Sequence, residues 1–176
     1  MFEIPRPVSG FGGGGGGHYF LSKDLLPEVE LDYHIRELPL LCQKGRECLP
    51  EITWHDHDGE WFKKDYDLVM ASGSLQYIEN WQETTQKFVS ATGSFLFITR
   101  LAVVYQHPSF VTLQRVPLFN LVEKFWCFNY QELMNCLLPR MKLVREFLID
   151  DYPIKAQNAP ESAPMQGFLF RPTSKF

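Results

Sequence analysis

Apolar residues recur along the chain with two alternating periods. Val8 and Phe11 form a short apolar lead-in that runs into six consecutive glycines, Gly12 to Gly17. Beyond them, Tyr19, Leu21, Leu25 and Leu26 recur at helical spacing within His18 to Leu26, and Pro27 closes that segment. Val29, Leu31, Tyr33 and Ile35 alternate with polar residues, which predicts a strand ending at Glu37. Pro39 suits the first turn of a helix reaching to about Leu49, with Gly45 as its weak point. A short third strand is predicted from Glu51 to Trp54. Tyr66, Leu68, Val69, Met70 and Ala71 make a near-continuous apolar run, the pattern of a central parallel strand buried on both faces.

Asn80 and Glu83 stand as N-cap and N3 of a helix that begins at Trp81, buries Trp81 and Phe88, and is closed by Gly93. Ser94 to Thr99 reads as the fifth strand, ending at Arg100. From Leu101 to Phe128 regularity fails. The segment is apolar and aromatic yet broken by Pro108 and Pro117, as a lid or binding loop is, or a subdomain packing on its own aromatics. Asn129 and Glu132 repeat the capping pair before a helix with Leu133, Met134, Leu137 and Leu138, stopped by Pro139. Lys142 to Ile149 and Met165 to Phe170 are the last two strands, joined as a hairpin by a polar loop. Alternating strands and helices give an α/β doubly wound sheet in one domain over residues 1–176. No internal repeat is visible.

Composition narrows the partners. A net charge of −4 without a long basic run argues against nucleic acid. No apolar run approaches the ~20 residues that a membrane span needs. The start, M-F-E-I-P-R-P, lacks the build of a signal peptide. Cys42, Cys48, Cys127 and Cys136 show no C-x-x-C pair and read as reduced thiols in a cytoplasmic protein.

The candidate chemistry sits where strands end. A glycine turn between a strand and a helix lets a ligand lie on backbone N–H groups at the positive end of that helix; the alternative is a flexible linker. Glu37, at the end of the second strand, could accept two ribose hydroxyls or merely cap a helix. The segment His55 to Asp58 has three readings: a metal site, the D-x-D of a glycosyltransferase, or a loop whose Asp56 touches an adenine amino group. The last is preferred, and no metal is expected. Gly12, Gly14 and Gly17 with Glu37 also fit a dinucleotide-binding pattern, although no separate substrate domain follows.

The glycine turn ahead of H-Y, the acidic end of the second strand, Y-D-L-V-M-A-S-G-S-L-Q-Y-I and W-C-F resemble the class I S-adenosylmethionine-dependent methyltransferases. The likeness is nearest to a family of bacterial methyltransferases of unassigned substrate and runs from Val8 to Arg171. It implies a Rossmann-like seven-stranded sheet with its last strand antiparallel, S-adenosylmethionine as cofactor and a small-molecule methyl acceptor. Gly12, Gly13, Gly14 and Gly16 would cradle the methionine part, Glu37 would hold the ribose, Leu38 would pack on adenine and Asp56 would lie near its amino group. Ser72, Gly73 and Leu75 would line the floor. Two departures accompany this. Gly10 stands where the family has an acidic residue for the cofactor's amino group, and the chain starts almost at its first strand, so an N-terminal cap is expected to be absent.

Methyl transfer requires a base only when the acceptor loses a proton on attack. His18, after the turn, and His107, in the irregular segment, are the candidate bases. Tyr77, Arg100, Tyr105 and Trp126 are candidate acceptor-binding residues by position, with Arg100 suited to an acidic acceptor. The absence of N-P-P-Y after the fourth strand disfavours nucleobase or amide nitrogen. The alternative function is a catalytically degenerate cofactor-binding or scaffold protein.

Overall fold

A computed structural model describes residues 5–116, 120–154 and 159–173. The first half alternates strand and helix: β1 Arg6–Phe11, α1 Gly17–Leu25, β2 Leu31–Arg36, α2 Pro39–Cys48, β3 Thr53–His55, the single-turn α3 Asp58–Trp61 and β4 Tyr66–Ser72. A 3-10 turn at Leu75–Tyr77 leads to α4 Trp81–Ala91 and β5 Thr92–Val104. The hairpin β6 Phe110–Val116 and β7 Leu121–Asn129 follows, then α5 Tyr130–Leu137 and the paired strands β8 Met141–Ile154 and β9 Ala163–Pro172.

β3, β2, β1, β4 and β5 lie side by side, all parallel. β9 enters antiparallel between β5 and β8, so seven strands form the expected doubly wound sheet with an antiparallel last strand. β6 and β7 raise the sheet to nine strands among the described residues. Two apolar layers cover the faces. Tyr19, Cys42 and Trp54, under α1 and α2, pack with Val8, Tyr33 and Ile35 on one side. Trp61, Trp81, Phe88, Leu133 and Leu137 pack on the other, against Val69, Ala71, Leu96 and Ile98. Val69 and Ala71 are fully buried, as expected of a central strand.

Three local expectations are corrected. The stretch from Leu101 to Phe128 is not irregular: β5 runs on to Val104, and beyond its bulge Ala102 to Val104 pair in parallel with Cys127 to Asn129. Pro108 falls in the turn before β6, while Pro117 lies outside the described residues. The inner face assigned to α1 is also wrong, because only Tyr19 is buried and Leu21 and Leu25 are exposed. Gly93 does not close α4 but is the second residue of β5. The two capping pairs behave differently. Asn129 accepts the Glu132 N–H at 3.0 Å, whereas Asn80 occupies the N-cap of α4 without a side-chain bond.

Gly45 shows why a weak helix former sits inside α2. A Cβ there would lie 2.3 Å from Cε2 of the Trp54 ring, which is buried and donates its indole N–H to the Leu49 carbonyl at 3.1 Å. The indole packs flat against the helix backbone. Glycine to alanine inside a helix ordinarily stabilises by up to about 1 kcal/mol. Here Gly45→Ala is expected to destabilise by about 1–3 kcal/mol through overpacking. Urea unfolding followed by Trp fluorescence measures it, and a stabilised variant would contradict this packing.

Candidate functional site

The carboxyl ends of β1, β2 and β4 converge on one turn. Gly12 leaves β1 with φ 63, and a Cβ there would sit 2.4 Å from Cβ of Ser74. Only glycine fits such an approach. Ser74 Oγ donates to the Phe11 carbonyl at 2.9 Å, and the Gly12 N–H donates to the Arg36 carbonyl at 2.9 Å. The turn is thus tied to the ends of both neighbouring strands. Glu37, next in the chain after β2, accepts the Gly14 N–H on Oε2 at 2.9 Å and the Leu38 N–H on Oε1 at 2.8 Å. Arg36 lies over the Phe11 ring and donates to Asp58 at 2.8 Å.

These ends open into a cleft of about 620 Å³. Phe11, Gly12, Arg36, Glu37 and Leu38 line it together with Gly73, Ser74, Tyr77 and Ile78, and Glu123 and Lys124 of β7 complete it. A second cavity of about 330 Å³ adjoins it and shares Gly73 and Tyr77. Ser72, Gln76, Arg100, Gln114, Phe125, Ile149 and Met165 form the remainder of its wall. Tyr77 donates its hydroxyl to Gln114 Oε1 at 2.8 Å. Burial and the nearby Glu123 push that hydroxyl above its ordinary pKa, so it stays a donor at neutral pH. A depression of about 310 Å³ near Asp67, Gly93 and Arg140 lies at the amino ends of β4 and β5. Sheets of this kind bind ligands at the other end.

No protein-family model matches the sequence, and no curated protein matches it. Solved structures do match. A proposed S-adenosylmethionine-dependent methyltransferase from Listeria monocytogenes gives a TM-score of 0.65 at 11% identity, over 96% of this chain and 92% of that one. The mitomycin 7-O-methyltransferase MmcR gives 0.60 at 16% identity, over 98% and 50%. The fold is that of the S-adenosylmethionine-dependent methyltransferases. A pericyclic-reaction enzyme also shares it, at 0.61 and 14% identity over 98% and 45%, so the fold by itself does not fix the reaction. The chain spans about half the length of the latter two proteins.

The structure brings some of the predicted residues together and separates others. Gly12, Glu37, Leu38 and Gly73 line the cleft, and Ser72, Tyr77 and Arg100 line the adjoining cavity. Gly13, Gly14 and Gly16 form the turn behind Gly12, and Gly10 is buried within β1. Leu75 is fully buried in the core rather than on the floor. Tyr105 is exposed, with its hydroxyl bonded to Gln166, and Trp126 packs edge-on against Trp81. His18 lies on the first turn of α1, outside both cavities. His107 is 3.4 Å from Glu161, which also accepts the backbone N–H groups of residues 105–107. His107 therefore belongs to a loop clamp. Gln76, Gln114, Glu123 and Lys124 were not anticipated, and the last three come from the unread hairpin.

The H-D-H-D segment is divided among separate partners. Asp56 accepts from Arg46 at 3.1 Å and lies 2.7 Å from His57, Asp58 holds Arg36, and none of the segment lines the cleft. Among the described residues no group of three or more His, Cys, Asp or Glu could hold a metal ion, and no helix is long and apolar enough to cross a membrane. His55 instead stacks on buried His34, with Nε2 2.9 Å from His34 Nδ1. His34 Nε2 is 3.0 Å from Asp32, which also pairs with Lys64.

This cluster sets a pH dependence. Burial pushes His34 below the ordinary imidazole value despite Asp32, and burial together with the neighbouring His34 does the same to His55. Unfolded, both titrate near about 6.5. Below that pH the unfolded chain takes up protons that the folded protein does not, so stability falls as the pH drops, until the folded imidazoles titrate. The slope for His34 is at most about 1.4 kcal/mol per pH unit. Asp32 does not interfere in this range. Burial alone would raise its pKa, but hydrogen bonds from Lys64 and His34 hold it low, so its contribution is lost only below about pH 4. Urea midpoints at pH 7.5 and 5.5 check this; a flat profile in the native chain, or an equally steep one in a His34→Asn, His55→Gln variant, would contradict it.

Proposed function

We propose that the cleft beside Gly12 and Glu37 binds S-adenosylmethionine and that the adjoining cavity holds a small-molecule methyl acceptor. One observation carries the reading. Two cavities at the carboxyl ends of the strands meet at Gly73 and Tyr77, and the larger has a fixed carboxylate beside a glycine turn. The larger volume, about 620 Å³, lies within the usual range for small-ligand sites, ~300–1,000 Å³. Each oxygen of Glu37 accepts one backbone N–H and has a further lone pair for a ribose hydroxyl. Leu38 offers an exposed apolar face to a base. Gly12 brings the backbone of the turn to the wall of the cleft.

When bound, the sulfonium supplies an electrophilic methyl carbon. The chain's own residues have the simpler task of holding the acceptor's nucleophilic atom in line and excluding water. Tyr77 stands at the junction as a fixed donor. The structure gives no support to Asp56 as an adenine contact or to His18 and His107 as bases. Gly10 favours the second reading, a cofactor-binding protein without turnover, because no carboxylate there meets the ligand's ammonium group.

Calorimetric titration with S-adenosylmethionine and S-adenosylhomocysteine, with NADH as control, tests the assignment. Binding of NADH alone would overturn it. Turnover of methyl-labelled cofactor separates enzyme from scaffold. Glu37→Ala is expected to weaken binding by about 1–3 kcal/mol, or roughly 5- to 150-fold. Unchanged affinity in a folded variant would remove Glu37 from the site.

Gly10→Asp tests the missing acid. Gly10 has no positive φ, and an added Cβ would meet only Gly13 Cα at 3.7 Å and the Tyr33 hydroxyl at 3.8 Å, both ordinary contacts. The substitution is expected to tighten binding about 10- to 100-fold through a charge-assisted hydrogen bond. If the native chain already binds tightly and the aspartate variant binds no better, the scaffold reading loses its main support.

A further inference from the structure

We propose that the 330 Å³ cavity takes a small aromatic carboxylic acid, its anion held by Arg100. The first observation is the backbone at Arg100. It has φ 61, and among the described residues the only other non-glycine with positive φ is Asn120. Asparagine tolerates that region, whereas arginine does so under strain. The strain falls where the pairing of β5 with β9 shifts register, between Ile98 and Leu101. A bulge within a strand re-aims a side chain. Here Arg100 lines the cavity, with Cδ 3.7 Å from where a Cβ on Gly73 would stand. A strained residue facing a cavity suggests a use for the strain.

The second observation is what surrounds that charge. Arg100 is the charged residue of this cavity wall, and among the described residues its guanidinium makes no hydrogen bond or ion pair. Gln76, nearly fully buried in the same wall, turns its amide Nε2 toward Gly73, 3.7 Å from where a Cβ there would stand. One cation matches a carboxylate monoanion. A phosphate dianion would call for a second cation, and Lys124 lines the other cavity. Phe125, Ile149 and Met165 supply the apolar contact for a ring. The volume, about 330 Å³, lies at the lower end of the ~300–1,000 Å³ usual for small-ligand sites, enough for a benzoate-sized molecule.

The term acceptor rests on the cofactor reading of the adjoining cleft, but the carboxylate preference does not. The test is a ligand-observed NMR titration of the full chain with anthranilate, benzoate and 2-aminobenzamide, with and without S-adenosylhomocysteine. Anthranilate and benzoate should both bind, and the neutral amide roughly tenfold more weakly than anthranilate. Arg100→Gly and Arg100→Asn both accept the positive φ, so both should fold, keep their S-adenosylhomocysteine affinity and lose the preference for the acid. A Tm in Arg100→Gly at or above the native value separates lost binding from lost folding. Equal binding of acid and amide by the native chain, a preference retained in the variants, or no binding of any probe overturns the proposal. Carboxylate preference without S-adenosylhomocysteine binding would instead overturn the cofactor reading and leave this one standing.

Discussion

The carboxylate of Glu37 is the point where three elements are joined. It leaves the end of β2, accepts an N–H from the turn after β1, and accepts the N–H of Leu38, the N-cap residue of α2. Hydrogen bonds to a charged group are worth about 1.5–3 kcal/mol each, twice or more the neutral kind. The bond from Gly14 offsets part of the conformational freedom that a run of glycines has to lose. The carboxylate therefore does not wait for a ligand to be positioned. Its direction is set by the backbone that a ligand would touch, so binding there need not order the loop first.

The glycine turn has a second constraint on its other side. Gly12 lies against Ser74, whose hydroxyl bonds back to the Phe11 carbonyl. The turns after β1 and after β4 are thus locked together, and Gly73 and Tyr77, on the far side of the same turn, inherit that position. Both cavities depend on this lock because both are lined by Gly73 and Tyr77. β5 adds the outer wall through its bulge at Arg100, and the hairpin that follows contributes Gln114, Glu123, Lys124 and Phe125.

What could be read from the sequence follows from how local each determinant is. The turn and Glu37 were legible because glycines after an apolar strand and an acid at the next strand's end are close in the chain. The partners of Asp56 and His107, Arg46 and Glu161, are chosen by the fold and leave no spacing to read. The hairpin was missed for another reason. Prolines were read as breaks, although Pro108 occupies a turn, where it does no harm to the strands on either side. V-T-L-Q opens on the apolar–polar alternation of a strand. Arg100 hid the continuation of β5, since a charged residue at positive φ interrupts a pattern that Leu101 to Val104 resume fully buried. Gly45 looked like a weak point because its reason, the Trp54 ring, lies on the following strand.

The groups around the two cavities also restrict the chemistry of the proposed reaction. Tyr77 is held protonated, Glu37 is committed to backbone N–H groups, and neither His18 nor His107 reaches the walls. Among the described residues Glu123 is the other carboxylate present, and it lines the larger cleft rather than the smaller cavity. The described wall of the smaller cavity therefore offers a cation, amides and a phenol, and no group able to take a proton near neutral pH. An alcohol, which must lose its proton as it attacks, is poorly served by such a wall. A nucleophile that already has a free lone pair at neutral pH, such as an aromatic amine or a carboxylate oxygen, requires only orientation. A fixed turn, a re-aimed arginine and an apolar wall supply orientation without acid–base assistance.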